Sequence, residues 1–155
     1  VRAEQYFVAA VARGFPADRA MPVLVRVCLA GDRLRAALEH AVPYLSRHPR
    51  DFPLRDLVAT IRFALGDASG AARELEDSLA VAPERASSRY LLAVVLRDGL
   101  RDPAGAARAF AAYLAAEPDG THAAEARSWL AEHGRATPGE TGRGRVPMGA
   151  PRREN

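Results

Sequence analysis

The chain has 155 residues, 48% of them hydrophobic and 26% charged, which is the composition of about one globular domain able to bury a core. Its single cysteine, Cys28, cannot pair within the chain, which excludes an intrachain disulfide framework and leaves Cys28 as an expected buried small hydrophobe. Apolar runs are interrupted by arginines such as Arg26 and Arg97 before reaching the roughly 18 residues of a membrane span, so a soluble chain is expected.

Residues 2–15 read as an apolar helix. They take the place of the second helix of a repeat whose first helix is missing, leaving part of Tyr6, Phe7, Val8 or Val11 uncovered, so the chain is expected to be a piece of a longer array, the alternative being that this face docks on something. From there the chain is punctuated by Pro16, Pro49, Pro83 and Pro118, separated by 33, 34 and 35 residues. Four residues before these prolines stand Ala12, Leu45, Leu79 and Leu114, and eight before stand Val8, Ala41, Leu75 and Phe110. Each proline therefore closes a helix with an apolar stripe of i, i+4 spacing. Twelve before the last three stand Ala37, Ala71 and Ala106, small residues where a helix approaches its neighbour closely.

A second marker divides each interval. Gly31-Asp32 and Gly66-Asp67 recur, followed by Gly99 with Asp102-Pro103; glycine supplies a left-handed turn and aspartate an N-cap, with proline suited to the first helical position. Residues 17–50 are the least regular unit. Pro22 is expected in the first turn of its first helix and Pro43 to kink its second. In residues 51–84 the run Leu54, Leu57, Val58, Ile61, Phe63 and Leu65 is too continuous for a surface helix, as is Tyr90, Leu91, Leu92, Val94, Val95 and Leu96 in residues 85–118. Residues 121–133, with Trp129 and Leu130, read as a helix covering the last unit. A β reading fails because the apolar residues do not alternate and no hairpin turn falls at strand spacing.

Residues 134–155 are rich in Gly, Pro and Arg and are expected to be a disordered basic tail. They hold Arg135, Arg143, Arg145, Arg152 and Arg153 against Glu140 and Glu154, five minus two, which is the whole net charge of +3. The remainder is neutral, which argues against specific nucleic-acid binding and leaves the tail only weak polyanion affinity.

Chemistry-bearing patterns are absent from the sequence. His40, His48, His122 and His133 lack the spacing of a metal site, so no metal and no cofactor is expected. Gly66-Asp67-Ala68-Ser69-Gly70 lacks the Lys and Ser/Thr of a phosphate-binding loop. Ser87, Ser88 and Ser128 have no nearby histidine to act as base, and Glu74, Glu76 and Asp77 read as a solvated face. The chain is expected not to be an enzyme.

A unit of about 34 residues with this punctuation resembles the tetratricopeptide repeat. The resemblance covers residues 1–133 and is carried by the closing prolines, by Ala59 and Ala93 in the first helices, by Ala71 and Ala106 opening the second helices and by Phe110 in the middle of one. Arg62 departs from it, standing where a large apolar or aromatic residue is usual. It implies an all-α, right-handed α-solenoid of antiparallel helix pairs: a partial repeat 1–16, repeats 17–50, 51–84 and 85–118, and a capping helix 121–133. It also implies a concave groove lined by the first helices, with Arg19, Arg26, Asp56, Thr60, Phe63, Tyr90, Val94 and Arg97 as the residues to touch a partner. The implied function is a protein-protein interaction scaffold or adaptor, of the kind common in bacterial assemblies, that takes up a peptide or partner protein. The alternative is a regulatory or substrate-recruiting segment of a longer enzyme. The chain has no Lys and its one Asn is Asn155, so the Lys/Asn clamp that some relatives use on a C-terminal carboxylate is not expected. Compartment and oligomeric state are not readable from the residues.

Overall fold

A computed structural model describes residues 2–133, and the basic tail lies outside the described residues. These form helices α1 (Arg2–Ala12), α2 (Ala17–Ala30), α3 (Leu34–Arg47), α4 (Phe52–Ala64), α5 (Ala68–Val81), α6 (Ala86–Val94), α7 (Pro103–Ala116) and α8 (Ala123–His133), with α6 running into a π-helical turn over Val95–Gly99. Helices α2 and α3, α4 and α5, and α6 and α7 pack as hairpins, and α8 lies on α7.

The punctuation has a physical cause at each site. His48, Ala82 and Glu117 end α3, α5 and α7 with φ of −125°, −133° and −134°. Each precedes a proline, whose ring disfavours helical backbone in the residue before it. Asp51, Asp67 and Asp102 are N-caps whose carboxylates accept from the amides of Leu54, Gly70 and Gly105 at 3.2, 2.8 and 2.8 Å. Such a cap is worth about 1 kcal/mol.

The hairpin turns share one left-handed residue, directly before the N-cap of the second helix. It is Asp32 (φ 53°), Gly66 (φ 84°) and Arg101 (φ 55°) in turn. The expected glycine fills it only once. Gly31 lies one residue too early with φ −95°, so Asp32 is not a cap and α3 starts from Arg33 without a side-chain cap bond.

The unequal repeat spacing is likewise localised. From Arg33 to Pro49, Asp67 to Pro83 and Asp102 to Pro118 is 16 residues each time, whereas Pro16 to Arg33, Pro49 to Asp67 and Pro83 to Asp102 span 17, 18 and 19. The variation therefore falls in the first helices and their turns. In the longest unit the surplus is accommodated by the π-turn, which fits an additional residue into a helix without breaking it. There Gly99 makes a close approach: a Cβ at this position would lie 2.6 Å from the Cβ of Ala68 and 2.8 Å from Cε2 of Phe63.

Pro22 is the sixth residue of α2, not in its first turn, and Pro43 is the tenth of α3. Both helices continue through them, although each ring removes one helical amide bond. Both expected columns are in the core: Ala37, Ala71 and Ala106, and Ala41, Leu75 and Phe110, are each 0% exposed. Leu45 is buried too, while Leu79 and Leu114 are only half-buried. Arg62 pairs with Asp67 at 3.1 Å. Glu74 is not merely solvated, since it pairs with Arg55 at 2.6 Å across the α4/α5 hairpin. On α1, Tyr6 is exposed and Phe7 packs on the first core with Leu24, Cys28 and Ala41.

Candidate partner-binding face

The residues implied for the groove divide into those left free and those already engaged. Arg19 and Arg26 on α2 are exposed, and neither guanidinium makes an ion pair or hydrogen bond among the described residues. They are seven residues apart with Val23, 42% exposed, between them, so a helix places all three on one face. Thr60 on α4 is exposed, with its hydroxyl donating to the carbonyl of Asp56 at 2.8 Å.

Asp56 is buried, and its carboxylate ties α4 to the start of α6. One oxygen accepts from Ser88 Oγ at 2.6 Å, the other from Ser87 Oγ and Arg85 Nη2 at 2.9 Å each. The Arg85 guanidinium lies 5.2 Å over the Phe52 ring. Phe63 is half-buried against Ala59, Ala71, Leu75 and Val95, and Val94 packs in the last core with Phe110 and Tyr113.

Tyr90 and Arg97 are joined to α8. The Tyr90 hydroxyl donates to Glu125 at 2.6 Å, and Arg97 donates to Glu125 at 2.9 Å and to both carboxylate oxygens of Asp98 at 2.8 and 2.9 Å. The guanidinium also sits 5.5 Å over the Phe110 ring. Burial, then the bond to Glu125, pushes the Tyr90 hydroxyl up to about 12. The Tyr90 and Arg97 bonds hold the Glu125 carboxyl below its ordinary range, and Arg97 does the same for Asp98. Beside this network the Tyr90 ring stacks on His122, centroids 3.8 Å apart and planes 9° from parallel.

Sequence reasoning did not single out Arg85 or Glu125, weighed His122 only as a metal ligand, and did not give Ser87 and Ser88 the role of holding Asp56. Asp56 itself carried a signal: a carboxylate inside the apolar run 54–65 needs donors, but nothing local shows that they arrive 29 to 32 residues later. Among the described residues no group of three or more His, Cys, Asp or Glu side chains could hold a metal ion, and no helix is long and apolar enough to cross a membrane.

No protein-family model matches the sequence, and no curated protein matches it. Solved structures do. A tetratricopeptide repeat protein from Parabacteroides merdae ATCC 43184 superimposes with a TM-score of 0.74 at 19% identity over 86% of this chain. This chain spans about half of that protein, 53% of its length. MamA from Desulfovibrio magneticus RS-1 gives a TM-score of 0.65 at 17% identity, covering 89% of this chain and 87% of MamA. A double mutant of MamA RS-1 gives 0.66 at 16%, covering 90% and 87%. The chain thus has the tetratricopeptide-repeat fold, an α-solenoid of antiparallel helix pairs.

Proposed function

We propose that the chain is a non-catalytic scaffold that binds a peptide or partner protein on the face formed by its first helices, α2, α4 and α6, within repeats 17–50, 51–84 and 85–118. The observation that carries this reading is the free face of α2, where Arg19 and Arg26 flank the exposed Val23. Two uncommitted guanidiniums two helical turns apart suit an acidic, extended or helical segment, pairing its carboxylates bidentately while Val23 offers apolar contact. Thr60 extends the surface onto α4. Asp56, Phe63, Tyr90, Val94 and Arg97 contribute by fixing α4, α6 and α8 in register and by whatever edge they expose.

Capture of binding partners on the immobilised full chain, with quantitative identification, tests this reading. Arg19→Glu combined with Arg26→Glu should lose specific partners by about fivefold or more, while Arg73→Glu with Arg108→Glu, exposed on second helices, should not. Equal losses from both pairs at unchanged melting temperature would refute the assignment to the first-helix face.

A further inference from the structure

We infer that the chain carries a recognition pocket for an arginine side chain of a partner polypeptide, in the cleft between the α5–α6 and α7–α8 connections. This deepens the scaffold reading and rests on it. The cleft has a volume of about 720 Å³ and is lined by Tyr90, Tyr113 and His122 together with Glu84, Glu117 and Arg85.

A guanidinium is recognised by a flat aromatic face and by carboxylates that are not already neutralised. Both are present. The exposed His122 ring lies flat on the half-buried Tyr90, and the buried Tyr113 backs them, 5.5 Å from Tyr90 at 56° to it, so the flat face open to the cleft is that of His122. The Tyr113 hydroxyl accepts from the backbone amide of His122 at 3.1 Å, which fixes that face before any ligand arrives. Glu84 and Glu117 come from separate connections and are exposed, and their carboxylates have no ion-pair or hydrogen-bond partner among the described residues.

The charge left free in the cleft is negative. Arg85 lines it, but its guanidinium is bound to Asp56 at 2.9 Å and covers Phe52, so its charge is compensated. The two glutamates are left as the uncompensated charges. An anion would meet them without a free arginine to offset the repulsion, whereas a cation meets two carboxylates and a π surface. Arginine fits better than lysine because its planar fork stacks on a ring and bonds a carboxylate at the same time.

The test uses the full chain and N-acetyl-arginine amide, followed through amide NMR shifts, with N-acetyl-citrulline amide as the uncharged isostere and N-acetyl-glutamate amide as the opposite charge. The arginine probe should shift the amides of Tyr113, Glu117 and His122 and bind about fivefold or more tightly than the citrulline probe. Glu84→Gln with Glu117→Gln, two exposed changes, should abolish that preference. Arg19→Glu with Arg26→Glu should leave it intact, so loss of the α2 reading and loss of this pocket are separate outcomes. Equal binding of arginine and citrulline, preference for the glutamate probe, shifts confined to other helices, or indifference to the double substitution would each overturn the assignment.

Discussion

Replacing Asp56 with alanine tests whether the carboxylate is a strut between repeats. Ser88 is 0% exposed, so its hydroxyl would lose the acceptor 2.6 Å away without water to replace it, at about 1 to 3 kcal/mol. The Arg85–Asp56 pair is partly solvated, its side chains 23% and 12% exposed, so screening limits its share to roughly 0 to 1 kcal/mol. A total of about 1 to 4 kcal/mol follows, which with a urea m-value of about 2 kcal/mol/M lowers the unfolding midpoint by about 0.5 to 2 M. Urea denaturation followed by circular dichroism measures this directly. Ser88→Ala should cost less in the Asp56→Ala background than in the native chain, a coupling of about 1 kcal/mol. A midpoint shift below about 0.3 M, or equal costs in the two backgrounds, would show that Asp56 is not the strut described.

Gly99→Ala should destabilise despite alanine's helix advantage of about 1 kcal/mol, because the new methyl would lie 2.6 Å from the Cβ of Ala68; overpacking of about 1 to 3 kcal/mol exceeds that advantage, and a raised melting temperature would contradict the close approach. Phe110→Ala, at a 0% exposed site, should cost about 4 kcal/mol and the half-buried Leu114→Ala about 2, so denaturant unfolding that reversed their order would place the inward face wrongly. Stability should also fall at both ends of the pH scale. Glu125, Asp98 and Asp67 have depressed carboxyls, so their contribution is complete above the ordinary values of 4.5 and 3.8 and is lost as pH falls through the folded ones. Tyr90 keeps its proton to about 12 in the fold but only to 10.0 when unfolded, so its contribution is lost between those values as pH rises; Tyr90→Phe should flatten that alkaline decline in a pH series of urea midpoints.

The fold was legible because its signals are local. A proline acts on the residue before it, and an aspartate cap on an amide three residues later, so Pro49, Pro83, Pro118, Asp67 and Asp102 mark their boundaries without tertiary information. The errors are also local in kind. Gly31-Asp32 looks like Gly66-Asp67 but is displaced by one residue from the N-cap, and composition alone does not show which of two neighbours takes positive φ. The 35-residue spacing showed a surplus residue without showing that a π-turn at Val95–Gly99 holds it. The candidate site was less legible because its state depends on partners far along the chain. Tyr90 meets Glu125 35 residues later and Arg97 meets it 28 later, and no periodicity in the first helices reports on those contacts.

That dependence separates side chains able to supply binding energy from those that hold the scaffold. A carboxylate of a partner reaching Arg97 would have to displace Asp98 or Glu125, exchanging one charged hydrogen bond for another and leaving an acid behind, so little is gained. Arg19 and Arg26 have no such competitor, nor do Glu84 and Glu117 have a cation to give up. Uncommitted charges of opposite sign thus stand on two candidate surfaces, basic on α2 and acidic in the cleft beside Tyr113 and His122. A partner long enough to reach both, with acidic residues toward one end and an arginine toward the other, would gain at each. It would also be bound in one direction, since reversal would set its carboxylates against Glu84 and Glu117 and its arginine against Arg19 and Arg26.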